Sequence, residues 1–202
     1  MNTEFDITGL FYENKGYKFR KYLDIKRKDS NQDEPDLMVV MMNPGSSYPL
    51  DGIENSLIPS RAKPDNTQQQ IMKVMDIASF NFARILNLSD LRTPDSKELY
   101  KFMKSDNSKE VDHSIFADNR KEELAELFIK NVPVIYGWGV NEALIPWAKQ
   151  AIDILGIKNP IGKLKVNTKY SYYHPLPQNF NEQQEWVCYV SNQITRMAEG
   201  SW

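Results

Sequence analysis

The feature that most constrains the fold is an apolar run at residues 37–42, L-M-V-V-M-M, which Asn43, Pro44 and Gly45 follow directly. Six apolar residues in so short a run predict a strand buried on both faces, as in a parallel sheet covered by helices. Pro44 and Gly45 predict a tight turn at the carboxyl end of this strand. Ligands of open α/β sheets bind at that edge, which makes Asn43 a candidate for chemistry, although Asn-Pro-Gly is also a common turn sequence.

Strand-like and helix-like patterns alternate through most of the chain. Apolar strands are predicted at residues 83–88 and 132–136, a β-rich segment is predicted at 164–173, and amphipathic helices lie between them. This order predicts a three-layer α/β/α sandwich with a mainly parallel central sheet, in a single domain over residues 1–202. Residues 1–35 are interpreted as an N-terminal hairpin extension and residues 36–202 as the core.

Basic residues concentrate in the predicted hairpin, whose strands cover residues 9–12 and 17–25. Two interpretations remain open for this charge: a solvated edge strand that charge protects from aggregation, or a surface that faces phosphates. The basic residues are Lys15, Lys18, Arg20, Lys21, Lys26, Arg27 and Lys28.

Polar residues near element ends give local predictions. Thr67 and Gln70 form the pattern of a capping box at the start of a helix, and Asp65 just before it either takes part in chemistry or stabilises that helix start. A charged amphipathic helix is predicted over residues 115–130. His113 has no metal-like partner nearby in the sequence and is expected at the surface.

The composition favours a soluble protein. The 202 residues carry a formal charge of −2, and 41% of them are hydrophobic, which is enough for a sizeable core. The single cysteine, Cys188, lies in an apolar run and is expected to be a buried thiol, so a reducing cytoplasm is the expected compartment. The first residues do not resemble a leader, and no run approaches the length of a membrane span.

Four candidate site residues lie at or just after the ends of different predicted strands: Asn43, Asn87, Trp138 and His174. The fold would gather them along one edge of the sheet and into one pocket. An asparagine amide pairs well with the edge of a base, and a histidine can donate to an oxygen that gains charge. Neither zinc-ligand clusters nor phosphate-binding glycine motifs are present, so we expect a polar pocket without metal or cofactor.

The motifs resemble a bacterial family known as domain of unknown function 1643. The resemblance is carried by N-P-G-S-S from Asn43, D-x-T from Asp65, N-L-S-D-L-R-T from Asn87 and G-W-G from Gly137. It covers most of the chain from about Tyr17 onward. It implies no activity by itself.

A more distant resemblance is to the uracil-DNA glycosylase superfamily, in particular its mismatch-specific and single-strand-selective branches. The sequence M-M-N-P-G at Asn43, the strand-end Asn87 and H-P-L-P at His174 occur in the order of that superfamily's motifs. The resemblance implies a uracil-DNA-glycosylase-like fold in which Asn43 orients water, Asn87 reads a flipped base and His174 stabilises the departing base. Met41 and Leu176 depart from the glycine and serine of those motifs.

The function that this resemblance implies is hydrolysis, without a metal, of the N-glycosidic bond of a damaged or deaminated base. Nucleotide or nucleoside binding or processing on the same scaffold is the nearest alternative, and a non-catalytic partner-binding module is a third. The expected partners are DNA or a nucleotide-like small molecule. Catalysis is assigned to Asn43 and His174, substrate binding to Pro44, Gly45, Ser46, Asp65, Asn87, Arg92 and Trp138, and a nucleic-acid wedge to Leu176, Pro177 and Gln178.

Overall fold

The computed structural model describes residues 4–54 and 57–200, in which a seven-stranded sheet has helices packed on both faces. Short 3-10 turns at Asp118–Arg120 and Glu142–Leu144 precede the fourth and fifth helices. The strands are β1 (Phe5–Asn14), β2 (Tyr17–Arg27), β3 (Leu37–Met41), β4 (Tyr48–Pro49), β5 (Ser60–Lys63), β6 (Phe82–Asn87) and β7 (Val134–Gly137). The helices are α1 (Asn66–Ala78), α2 (Ser96–Met103), α3 (Asn107–Glu110), α4 (Lys121–Leu127), α5 (Ile145–Leu155) and α6 (Phe180–Ala198).

The strand order is β4-β5-β1-β2-β6-β3-β7, and most neighbouring pairs are antiparallel. The prediction of a mainly parallel sheet is therefore wrong, because the hairpin and the short strands β4 and β5 enlarge the sheet with antiparallel pairs. The pairs β3–β6 and β3–β7 are parallel, as the apolar runs indicate. The carboxyl ends of β6, β3 and β7 therefore meet at one edge of the sheet.

Apolar side chains form a core on each face of the sheet. The first core contains residues of α2, α4 and α5, such as Leu99, Leu124 and Ala148. The second core lies under α1 and α6 and includes Ile71 and Val190. Because β3 is buried on both faces, its side chains alternate between the two cores, which explains why its sequence has no polar positions.

The N-terminal hairpin lies inside the sheet, since β1 pairs with β5 and β2 pairs with β6. The interpretation of this hairpin as a solvated edge strand is therefore wrong. Its register shifts at Lys21, so that Leu10 faces Tyr22 while Phe11 faces Arg20. Such a bulge exchanges the faces of the residues on its two sides.

Several element boundaries differ from the predictions. Asp65, instead of Thr67, caps α1, and its capping-box partner is Gln68. The predicted helix at residues 115–130 is shortened to the 3-10 turn and α4, and the β-rich segment at 164–173 contains isolated bridges in place of a regular strand. Within the described part of the chain, no helix has the length and apolar character needed to cross a membrane.

Two side-chain environments also differ from expectation. His113 is buried, because its ring packs between Phe102 and Trp147 and its Nδ1 lies 2.9 Å from Ser89 Oγ. Cys188 is exposed, because the apolar face of α6 is formed by residues such as Val187 and Val190, and position 188 points away from it.

Candidate functional site

The turn after β3 holds Asn43 by one end of its amide. Nδ2 of Asn43 donates to the carbonyl oxygens of Leu91 and Thr93, at 3.1 and 2.8 Å. Oδ1 accepts no hydrogen bond from the described residues and remains available to a ligand or water. The following Gly45 has φ +62°, and a Cβ there would lie 2.8 Å from Asp65 Oδ2. Glycine therefore lets the Asp65 carboxylate approach the turn.

Asn87, the last residue of β6, carries an unpartnered amide. Its side chain is completely buried, and neither Nδ2 nor Oδ1 has a hydrogen-bond partner among the described residues. It pairs in register with Met41 of β3 and, by strand alternation, shares the face of Ile85, which belongs to the second core. A buried amide without partners is costly, so such a group is a strong indication of a ligand or an ordered water.

Asp65 reaches the site from the start of α1. Its Oδ1 accepts from the backbone N–H groups of Thr67 and Gln68, at 2.8 and 3.2 Å, which leaves Oδ2 beside Gly45. The carboxylate is near enough to influence the protonation of Arg20 and His174. Asp65 therefore both caps the helix and supplies a free carboxylate oxygen to the site.

His174 lies in the loop before α6, and its tautomer is fixed by that loop. Its Nδ1 accepts from the Leu176 backbone N–H at 3.2 Å, so the neutral ring carries its proton on Nε2. Burial lowers the pKa of His174, and the Asp65 carboxylate opposes this change in part. The histidine is thus a neutral Nε2–H donor near neutral pH.

Neighbouring contacts hold the His174 loop in place. The Trp186 Nε1–H donates to the Tyr173 carbonyl at 3.0 Å. On the other side of His174, Pro175 packs on Gly137 at the end of β7, where an added Cβ would lie 3.1 Å from the proline ring. The loop is therefore attached both to α6 and to the carboxyl end of a parallel strand.

Arg20 is a site residue that the sequence interpretation missed. The bulge at Lys21 places Arg20 opposite Phe11, which belongs to the second core, so the guanidinium points inward and is 1% exposed. No side-chain nitrogen of Arg20 donates a hydrogen bond within the described residues, and its Nε and Nη1 are buried. Burial lowers the pKa of Arg20 to about 10, with Asp65 acting in the opposite direction.

Arg92 and Ser47 lie beside this arginine. The Arg92 guanidinium covers the Phe11 ring at 5.2 Å, its Nε donates to the Ser47 carbonyl at 2.9 Å, and its Nη1 lies 3.0 Å from a Glu54 carboxylate oxygen. The Ser47 Oγ is buried and has no hydrogen-bond partner within residues 4–54 and 57–200, whereas the neighbouring Ser46 is exposed. Ser47 therefore offers the inward hydroxyl of the N-P-G-S-S motif.

Trp138 lies on the opposite face of the sheet from these residues. It packs with Tyr136 and Tyr172 in the first core, and its Nε1–H donates to the Tyr170 carbonyl at 2.7 Å. Because the ring is buried among aromatic side chains and its N–H is hydrogen-bonded, packing alone explains Trp138, and no ligand contact is needed.

The residues assigned to a wedge line a surface cleft. Leu176, Pro177 and Gln178 contribute to a polar cleft of about 400 Å³ between the starts of α1 and α6. The Gln183 side chain donates to the Pro177 carbonyl at 2.8 Å and ties the wedge segment to α6. Leu176 and Pro177 are half-buried, whereas Gln178 is exposed.

The structure thus gathers most of the predicted set at the carboxyl edge of β3 and β6. Asn43, Pro44, Gly45, Asp65, Asn87, Arg92 and His174 lie there, together with Arg20 and Ser47. The sequence interpretation missed Arg20 because the alternation of polar and apolar residues in the hairpin does not reveal a bulge. It missed Ser47 because the sequence does not distinguish this serine from its neighbour Ser46. The described residues contain no cluster of three or more His, Cys, Asp or Glu side chains arranged to hold a metal ion.

The comparisons with known proteins give one match. No curated protein matches the chain, and no solved structure matches it either. The model of the family described as "protein of unknown function (DUF1643)" matches residues 22–176, which include every residue of the site except Arg20. The chain therefore belongs to the DUF1643 family.

Proposed function

We propose that this site hydrolyses the N-glycosidic bond of a damaged or deaminated base. The observation that carries the proposal is the completely buried Asn87 amide, whose donor and acceptor both lack partners among the described residues. An asparagine amide forms paired hydrogen bonds with a base edge that presents one donor beside one acceptor. A base bound there would satisfy both amide atoms at once.

The surrounding residues have the properties that the hydrolysis needs. The free Asn43 Oδ1 orients a water toward the anomeric carbon, and Asp65 Oδ2 accepts a proton from that water. As the bond between the sugar carbon and the base nitrogen breaks, its electron pair moves onto the base. The neutral His174 donates from Nε2 to the base oxygen on which charge develops.

The order of the motifs supports a more specific version of this proposal, in which the scaffold is related to the uracil-DNA glycosylase superfamily. The turn with Asn43, the strand end with Asn87 and the loop with His174 follow the order of that superfamily's functional motifs. In this version the substrate is a nucleotide flipped out of DNA, and Leu176, Pro177 and Gln178 fill the gap that it leaves.

One observation favours a second candidate, a hydrolase of free nucleosides or nucleotides. The hairpin cations that would face phosphates are largely neutralised: Lys15, Lys18 and Lys21 are ion-paired with Glu110, Glu54 and Glu123. A protein that binds a DNA backbone depends on cations that can replace counterions. A small substrate has no such requirement.

Release of free base from defined substrates tests the proposal. The protein would be incubated with single- and double-stranded oligonucleotides that contain uracil, hypoxanthine or xanthine, and with the corresponding nucleosides and nucleotides. The free bases would then be quantified. We expect release from one of these forms. Absence of release from every form would contradict hydrolysis and leave a binding module as the better account.

Site variants connect any release to this geometry. Asn43→Ala and His174→Ala should each reduce release at least about 100-fold, in the range seen when one catalytic proton-transfer group or oxyanion donor is removed. The exposed Asn192 of α6 supplies the matched control, Asn192→Ala, which should be unchanged. Thermal melts would verify folding, since loss of the Asn43 hydrogen bonds to Leu91 and Thr93 should cost about 1–2 kcal/mol.

A further inference from the structure

The guanidinium of Arg20 has no partner that explains its burial. It is 1% exposed, yet its side-chain nitrogens donate to none of the described residues. The Arg84 side chain of β6 provides a contrast within the same protein, because its Nε and Nη2 donate to the two Asp24 carboxylate oxygens at 2.7 and 2.8 Å. A guanidinium is a set of five donors with no acceptor, so Arg20 requires acceptor atoms that the described residues do not supply.

The charges around Arg20 favour an uncharged ligand. The Asp65 carboxylate attracts Arg20, whereas the nearby positive Arg92 is itself ion-paired with Glu54. Asp90, which also attracts Arg20, is paired with Arg120 at 2.7 Å. Because the Asp65 carboxylate already offsets part of the Arg20 charge, an added phosphate or carboxylate would place a second negative group near Asp65 in a buried site.

The strand register brings Arg20 and Asn87 to the same edge and the same face of the sheet. Leu23 of β2 lies opposite Ile85 of β6, so the start of β2 runs past the end of β6, where Asn87 is located. The bulge at Lys21 turns Arg20 to the face that Asn87 shares. We therefore expect a ligand that reaches Asn87 to lie within reach of the guanidinium.

We propose that Arg20 and Asn87 together read the edge of an oxopurine base, with Arg20 donating to O6 and N7. These two atoms are adjacent acceptors, and their pairing with an arginine fork is the most common specific contact between proteins and guanine. Uracil offers no adjacent pair of acceptors, since its N3–H separates O2 from O4. The inference rests on the proposed function and specifies its substrate class, with hypoxanthine or xanthine as the deaminated base.

Binding of free bases tests this inference separately from catalysis. Calorimetric titration would compare hypoxanthine, 7-deazahypoxanthine, which lacks the N7 acceptor, and uracil. We expect hypoxanthine to bind at least about tenfold more tightly than either of the others, which lies within the range for a lost bidentate base contact. In Arg20→Met the affinities for hypoxanthine and its 7-deaza analogue should become equal. Arg61→Met, which removes a 75% exposed arginine of β5, is the control and should behave like the wild type.

Several results would overturn the inference. They are equal binding of hypoxanthine and 7-deazahypoxanthine by the wild type, preferential binding of uracil, no binding of any base, or an Arg20→Met variant that keeps the discrimination. Binding of inorganic phosphate that Arg20→Met abolishes would instead assign an anion site. Should Arg20→Met fail to fold, Arg20→Lys keeps the charge but replaces the fork with a single ammonium, and must reduce the discrimination between hypoxanthine and 7-deazahypoxanthine.

The proposed function can fail while this inference stands. Arg20-dependent binding of hypoxanthine without release of any base would contradict hydrolysis only. Release of uracil without hypoxanthine recognition would contradict the inference only.

Discussion

At the scale of single residues, Asn87 shows a conflict between stability and recognition. Its amide is completely buried and finds no partner in the part of the chain that the structure describes, so it opposes folding. Leucine has a similar size and shape and has no polar atoms that need partners. The same position can therefore be improved for stability only by removing the group that recognises a ligand.

We predict that Asn87→Leu increases the free energy of unfolding by about 1–2 kcal/mol, because an unsatisfied buried polar group costs roughly 1–3 kcal/mol. Base binding should be lost in the same variant. Urea denaturation and calorimetric titration provide the two measurements. A destabilised Asn87→Leu would show that the amide has partners in solution, for example ordered water, whose hydrogen bonds stabilise the fold.

A second residue-scale prediction concerns His113, one of two histidines in the chain. Burial lowers its pKa from 6.5 to about 4, so the folded protein keeps it neutral while the unfolded chain takes up a proton. The neutral His113 should contribute fully to the free energy of unfolding above pH 6.5. As the pH falls to 4, this free energy should decrease by about 3 kcal/mol. The nearby Arg120 and Asp112 charges act in opposite directions on this pKa.

The measurement is the free energy of unfolding from pH 4 to pH 7 for the wild type and His113→Gln. The difference between the two proteins should decrease as the pH falls, because glutamine does not titrate. His174→Gln is a useful comparison, since the pKa of His174 is also lowered by burial. A difference that stays constant with pH would mean that His113 takes up its proton without leaving its buried position.

At the scale of elements, the His174 loop depends on the end of β7. An added Cβ at Gly137 would lie 3.1 Å from the Pro175 ring, which is closer than most real contacts. We predict that Gly137→Ala displaces this loop, reduces base release at least about tenfold through mispositioned His174, and costs about 1 kcal/mol of stability.

The exposed Gly16, in the hairpin turn, and Gly52 do not suit as controls, because both have positive φ. A better control is Ala125→Gly on the exposed side of α4, which should cost a similar free energy without changing release. If Gly137→Ala retains full release, the loop is not positioned through this contact.

The sequence predicts elements whose signal is local. The apolar run of β3, the strand β6 and the helices α1 and α6 are each indicated by residues within the element, and their order brings Asn43 and Asn87 to one edge. The direction of the hairpin's pairing and the bulge at Lys21 depend on contacts with β5 and β6, which local patterns do not contain. Trp138 likewise follows a strand as expected, but alternation sends it to the opposite core.

At the scale of the whole molecule, the distribution of charge determines which substrates are accessible. The net charge is −2, and the hairpin cations Lys15, Lys18 and Lys21 are ion-paired, while Arg20 is buried. Few cations of this segment are therefore free to displace counterions from DNA.

We predict that oligonucleotide affinity depends only weakly on salt, with a slope of log K against log salt no steeper than about −2. Fluorescence anisotropy at several salt concentrations measures the slope. Charge reversal at Lys15, whose partner Glu110 is also exposed, should change it little. A slope near −5 would require an extended phosphate-binding surface and would favour DNA over a small substrate.

The bulge at Lys21 makes the position of the buried charge depend on the length of β2. Removing one residue there would exchange the two faces of the strand's first half, so that Phe19 would turn toward the site and Arg20 toward the other core. The side chain at position 21 lies on the side of α4, where its ion pair with Glu123 is partly exposed. Most substitutions of Lys21 should therefore be tolerated, but deletion of this residue should not. A chain shortened by this one residue would lose Arg20 from the site although no site residue had been replaced.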